Sequence, residues 1–139
     1  MTDYFTIQLP ADEIRGISSI GLAHLGDGVY ELLVRTWLCA HGKATGKGLH
    51  LATIELVCAP KQAELSEKIL PLLTEEEHSV FKRGRNASKA SVAKHASPEE
   101  YRASTGFECL LGWLYLNGQL ERVHQLFEVL WQQFDPDQK

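Results

Sequence analysis

Apolar residues recur three and four positions apart along almost the whole chain, and no stretch alternates as a half-buried strand would. That pattern predicts one fold class, all-α. The longest run, capped by Ser18 or Ser19, reaches about His41 with Gly42 as its stop. It carries Ile20, Leu22, Ala23, Leu25, Val29, Leu32, Leu33, Val34, Trp37 and Leu38, apolar over most of its circumference, which predicts a helix at the centre of the fold. A second helix is expected over about Leu49–Ala59, followed beyond Pro60 by an amphipathic segment to Leu73. Thr74-Glu-Glu-Glu77 and Ser97-Pro-Glu-Glu100 are capping boxes, the second with proline at the first helical position. The helices they open are expected to end near Arg83-Gly84 and at Asn117-Gly118, and a last one covers about Leu120–Phe134. His41–Gly48 and Asn86–Ala96 read as loops and Asp135–Lys139 as a tail.

At 139 residues the chain is long enough for one domain with a self-sufficient core, expected over about residues 18–134. No apolar stretch approaches the ~18 residues that span a bilayer, and the N-terminus carries no basic region or cleavage site. A cytoplasmic protein without membrane contact is expected. Cys39, Cys58 and Cys109 form no CxxC pair and lie in apolar runs, so they are expected to be buried free thiols.

Two carboxylates stand alone within apolar helices. Asp27 is the only formal charge between Gly16 and Tyr30, flanked by Gly26 and Gly28, and Glu108 is the only one between Ala103 and Leu120. Each flanking glycine weakens the helix by about 1 kcal/mol, which points to close approach by something else. An unpaired carboxylate in apolar surroundings takes up a proton or finds a partner, and two facing each other repel. A hard divalent cation such as Mg²⁺ resolves both problems, because carboxylates, waters and phosphate oxygens are its preferred ligands. Asp27 exposed or salt-bridged, or Glu108 paired with Arg35 or Arg102, are the competing arrangements. Glu31 and Arg35 form an i,i+4 pair on the face of His24 and Asp27, and no His/Cys set has zinc spacing.

The charge is uneven. The chain carries −4 overall, yet Lys82–Arg102 holds six basic residues (Lys82, Arg83, Arg85, Lys89, Lys94 and Arg102) against Glu99 and Glu100. A basic segment on an acidic body fits a local polyanion contact, or simply a solvated loop.

Leu25-Gly-Asp-Gly-Val-Tyr-Glu31 and Ser104-Thr-Gly-Phe-Glu-Cys-Leu-Leu-Gly-Trp-Leu-Tyr-Leu116 resemble the two catalytic helices of the ribonuclease III endonuclease domain. Thr74-Glu-Glu-Glu77, Lys82-Arg-Gly-Arg-Asn86 and Tyr101-Arg102 narrow the resemblance, over roughly residues 18–130, to the Mini-III ribonucleases. That branch lacks the usual double-stranded-RNA-binding domain. The resemblance implies a symmetric all-helical homodimer that cuts double-stranded RNA with Mg²⁺, leaving 5′-phosphate ends. It puts Asp27 and Glu108 in the places of the essential aspartate and glutamate, as catalytic and metal-binding residues. Larger members add a Glu four residues before the aspartate and an Asp three before the glutamate, where this chain has Ala23 and Thr105. The resemblance further implies RNA contacts by Lys82, Arg83, Arg85, Asn86, Lys89, Lys94, His95 and Arg102. By the same analogy the substrate is precursor ribosomal RNA at the paired ends of the large-subunit (23S) RNA, with a large-subunit ribosomal protein as a further candidate partner. Two other readings stand beside this one. One is a catalytically silent helical dimer binding RNA or the ribosome, against which the intact Asp27 and Glu108 argue. The other is an all-α, Mg²⁺-dependent nucleotide pyrophosphohydrolase, for which Glu64 and Glu67 have the spacing but lie on an amphipathic segment expected to face solvent. The dimer expectation draws on the apolar surplus of the long helices, including Trp37, Trp113 and Leu116.

Overall fold

The computed structural model describes residues 2–41, 45–88 and 96–133. Regular structure there is helical, with no strand among the described residues. The order is α1 (Ala11–Arg15), α2 (Ser19–Ala40), α3 (Gly46–Val57), α4 (Ala59–Ile69), a 3₁₀ turn (Leu70–Leu72), α5 (Glu75–Ala87), α6 (Pro98–Leu116), α7 (Leu120–Leu130) and a closing 3₁₀ turn (Trp131–Gln133). No helix among the described residues is long and apolar enough to cross a membrane.

Each predicted cap is present. Ser18 Oγ accepts from Gly21 N at the start of α2, and Thr74–Glu77 and Ser97–Glu100 both close reciprocal capping boxes. Gly118, at φ +70°, ends the chain path of α6 as expected. The expected stop Gly42, the end at Phe134 and the tail lie outside the described residues.

Three boundaries differ from those the sequence predicts. α3 begins at Gly46, inside the expected loop, because Thr45 Oγ1 caps it by accepting from Gly48 N. Pro60 does not kink a continuing helix; Cys58 is extended and α4 starts afresh, with the proline in its first turn where no N–H is needed. α5 runs past Gly84 to Ala87 because Gly84 is a packing residue, not a stop. A Cβ there would meet Cys109 Cβ at 2.5 Å and Gly106 Cα at 3.1 Å. The short α1 is not foreseen: five residues carry too little periodicity to read.

The central element is α6 rather than α2. It packs against α2, α4, α5 and α7. It shares one cluster of buried residues with Tyr30, Ile69 and Leu126, and another with Ile14, Leu22 and Val80. α2 buries one side only; Ile20, His24, Gly28 and Leu32 are exposed on the other. Trp37 and Leu116 are buried within the chain, and Trp113 packs against both clusters, so these three are not the free apolar surface that the sequence suggested. Of the thiols only Cys109 is buried. Cys39 and Cys58 are exposed because they sit at the ends of α2 and α3, where the apolar run reaches the surface.

A partly buried ion pair ties the end of the bundle. Arg122 on α7 reaches Glu77 through Nε and Nη2, both at 2.8 Å, and donates from Nη2 to Leu72 O at 2.8 Å. The guanidinium holds the Glu77 carboxyl below the usual carboxylate range.

Candidate active site

The crossing of α2 and α6 is set by glycine. A Cβ on Gly26 would collide with the backbone carbonyl of Glu108, and one on Gly112 with that of Leu22, so both positions must be bare for the helices to meet. This is the close approach that the glycines beside Asp27 implied, but it falls to Gly26 alone. A Cβ on Gly28 would find nothing within 4 Å.

Residue 27, next along α2, is thereby carried beside residue 108 of α6. The two carboxyls open on a common cleft of about 510 Å³, which Ile20, Ala23, His24, Ala87, Ser88, Tyr101 and Thr105 also line. Asp27 is exposed at its rim and Glu108 half-buried, so the burial argument from sequence holds for Glu108 only. Burial, then the Asp27 charge and a hydrogen bond with the Asp27 carboxyl, push the Glu108 carboxyl up to about 8, against a smaller opposing hydrogen bond from Gln62. Neither Arg35 nor Arg102 pairs with it. Arg35 is bonded to Glu31 at 3.0 Å, the i,i+4 pair expected.

Among the described residues no group of three or more His, Cys, Asp or Glu converges on a metal-binding arrangement. The donor set is two carboxylates at an open cleft. That suits an ion such as Mg²⁺, which is held by one or two carboxylates and keeps several waters, and it does not suit zinc. The neighbouring positions are accounted for. Ala23 is buried. Thr105 is buried too, with Oγ1 3.0 Å from Tyr101 O and 3.1 Å from Ser88 Oγ, so it ties the exit of α5 to α6.

One residue of the site is not visible in the sequence. Gln62, on α4, is 1% exposed, and its Nε2 donates to Glu108 Oε2 at 3.3 Å and to Val57 O at 2.9 Å. The one signal for it is an amide on the apolar stripe of α4, with Leu65, Ser66 and Ile69.

Among the described residues the basic side chains do not form a single patch. Arg85, Asn86 and Arg102 line a second open cleft that shares Ser88 with the carboxylate cleft and also carries Glu67, Glu99 and Glu100. Arg83 turns instead into a separate pocket with Arg15 and Cys109. Lys82 is exposed on α5. Lys89, Lys94 and His95 lie outside the described residues. Glu64 and Glu67 both face solvent, Glu64 bonded to Lys61 at 2.8 Å, so they do not make the inward-facing carboxylate pair of a pyrophosphohydrolase.

Comparison with known proteins gives the family of the chain. The profile of the Ribonuclease III domain matches residues 21–119, a span that includes both carboxylates. A protein named Mini-ribonuclease 3 from Symbiobacterium thermophilum is 45% identical over 108 residues, 78% of this chain and 83% of that one. Another of that name from Clostridium tetani is 39% identical over 119 residues, 85% of this chain and 79% of that one. A crystal structure of a Fusobacterium nucleatum protein superposes with a TM-score of 0.80 at 26% identity, covering 87% of this chain and 93% of that one.

Proposed function

The chain belongs to the ribonuclease III domain family and is an endoribonuclease, and from that premise we propose that it hydrolyses double-stranded RNA with Mg²⁺ held by Asp27 and Glu108. The observation that carries the proposal is the meeting of these two carboxyls across the glycine crossing of α2 and α6, open to a cleft. A bound Mg²⁺ would make a coordinated water more acidic and more nucleophilic and would supply positive charge at the departing 3′ oxygen. The chain's own part is electrostatic and positional. Asp27 and Glu108 would hold the ion, whose charge offsets theirs and takes the place of the proton that the half-buried Glu108 otherwise keeps near neutral pH. Cleavage in this reading leaves 5′-phosphate and 3′-hydroxyl ends.

Arg85, Asn86 and Arg102, in the cleft that shares Ser88 with the carboxylate cleft, are our candidates for holding phosphates of the bound strand. By the family resemblance Lys82, Arg83, Lys89, Lys94 and His95 are further candidates for RNA contact. A-form RNA offers shape, phosphates and 2′-hydroxyls more than base edges, so the grip is largely independent of sequence. A duplex is cut in both strands by two sites related by a two-fold axis, which a homodimer provides. The surface that supports the dimer is the uncovered side of α2 and α3. There Ile20 is 49% exposed, Leu32 58%, Leu51 52% and Ile54 49%, while Gly28 leaves room for a close neighbour. By the family resemblance that the sequence motifs carry, precursor 23S ribosomal RNA is our candidate for the cytoplasmic substrate, with a large-subunit ribosomal protein as a candidate companion on it.

The test is a comparison of duplex RNA, duplex DNA and nucleoside triphosphates as substrates, with and without Mg²⁺. Cleavage of duplex RNA alone, abolished by chelation, is expected. Hydrolysis of the triphosphates, or binding of RNA without cleavage, would favour the other two readings.

A further inference from the structure

Position 62 belongs to the buried stripe of α4, where stability alone calls for an apolar side chain. It holds an amide instead. The carbonyl of Val57 is an acceptor only, so the group 2.9 Å from it must be the NH₂, which fixes the orientation of the amide without reference to Glu108. Both Nε2 protons are then spent, one on Val57 O and one on Glu108 Oε2. The other end of the same amide, Oε1, is buried and has no hydrogen-bond partner among the described residues. A buried acceptor in that state costs about 1–3 kcal/mol, which methionine, of similar length, would avoid, offsetting the loss of the donor to Val57 O. The fold therefore carries a polar group whose net packing benefit is poor and whose one distant partner, 46 residues along the chain, is the half-buried carboxylate of the active site.

We propose that Gln62 is a positioning residue for the metal site: its amide holds Glu108 Oε2 against α4, which would leave the other oxygen of that carboxylate, Oε1, free for a cation. The inference rests on the assignment of Asp27 and Glu108 as metal ligands. Hydrogen-bond partners behind a ligand fix its orientation, and their removal typically weakens metal binding by about 10–100-fold. With only two protein carboxylates in the set, the orientation of each counts for more, because waters supply the rest of the shell.

The experiment titrates Mg²⁺ alone into the RNA-free protein by calorimetry, for the native chain, Gln62→Met, Gln62→Leu and Glu108→Gln, with thermal unfolding of each metal-free protein alongside. Either Gln62 variant that folds is informative. Expected is an affinity for Mg²⁺ lowered by about 10–100-fold in the Gln62 variants. Their metal-free unfolding temperatures should be unchanged or raised, and cleavage of duplex RNA should return at saturating Mg²⁺. A purely structural glutamine would instead lower the unfolding temperature and the saturating rate without moving the metal midpoint, and that result would overturn the proposal. Unaltered Mg²⁺ affinity in Gln62→Met or Gln62→Leu would overturn it as well. If Glu108→Gln binds Mg²⁺ like the native chain, the metal-site reading itself fails, which is a separate outcome.

Discussion

Gly26 packs its bare α-carbon against the backbone of Glu108, and this packing puts Asp27 and Glu108 at one cleft. Gly26→Ala has no room: its Cβ falls on the Glu108 carbonyl, and relief requires separating two helix backbones. Overpacking of this kind costs about 3 kcal/mol or more. Gly28→Ala, two residues on, finds open space and should leave the chain folded. Urea unfolding of the two variants checks the contrast; equal tolerance of both would show that the helices do not meet at Gly26.

The raised Glu108 carboxyl gives the metal-free protein a pH dependence of definite sign. Glu108 rises from an ordinary 4.5 to about 8 on folding, so between these values the folded chain binds more protons than the unfolded one. Its contribution to stability is therefore present at the acid end of the window and lost as pH rises through about 8. Thermal unfolding in chelator should occur at lower temperature above this window than within it, and Glu108→Gln should reduce the difference. Mg²⁺ binding should release a proton at neutral pH, visible as a buffer-dependent heat.

The Glu77–Arg122 pair should behave in the opposite way. Glu77 is held below its ordinary value, so its contribution is present near neutral pH and lost as pH falls through the depressed value. Arg122→Met leaves the buried Glu77 carboxylate without its cation, destabilising the fold by about 2 kcal/mol. Cleavage at a temperature where the variant is folded should be unaffected, since the pair touches none of the cleft residues.

Binding and chemistry should separate at the basic residues of α5 and α6. Arg85→Gln and Arg102→Gln should weaken duplex RNA binding and flatten the dependence of log affinity on log salt by about 0.7–0.9 for each phosphate no longer neutralised. Turnover at saturating RNA should fall much less, because neither side chain reaches Asp27 or Glu108. The same holds for Lys89, Lys94 and His95 replaced together. Salt slopes equal to the native value in both sets would return this segment to a solvated surface.

Which features are legible in the sequence and which are hidden follows from range. Asp27 and Glu108 are legible because each is a single charge in an apolar helix, a conflict visible within about ten residues. The caps are legible for the same reason: Ser18, Thr74 and Ser97 act within one turn. Gly84 misleads because a glycine that ends a helix and a glycine that admits a neighbouring backbone look alike until the neighbour, here Cys109 and Gly106, is placed. Gln62 is hidden because its partner is 46 residues away and an amide on an apolar face carries no charge to draw notice. The basic residues read as one segment, but helical geometry sends Arg83 and Arg85 into different pockets.

The central claim is that Asp27 and Glu108 together hold the cation that cuts RNA. The direct measurement is the single-turnover rate of duplex RNA cleavage at saturating RNA across a range of Mg²⁺, for the native chain, Asp27→Asn and Glu108→Gln. Both substitutions conserve volume and remove only an anionic ligand, so both variants should fold and bind RNA. Each should fail to cleave at every Mg²⁺ concentration. A near-native rate in Asp27→Asn, reached at the same Mg²⁺ concentration as the native chain, would contradict the account.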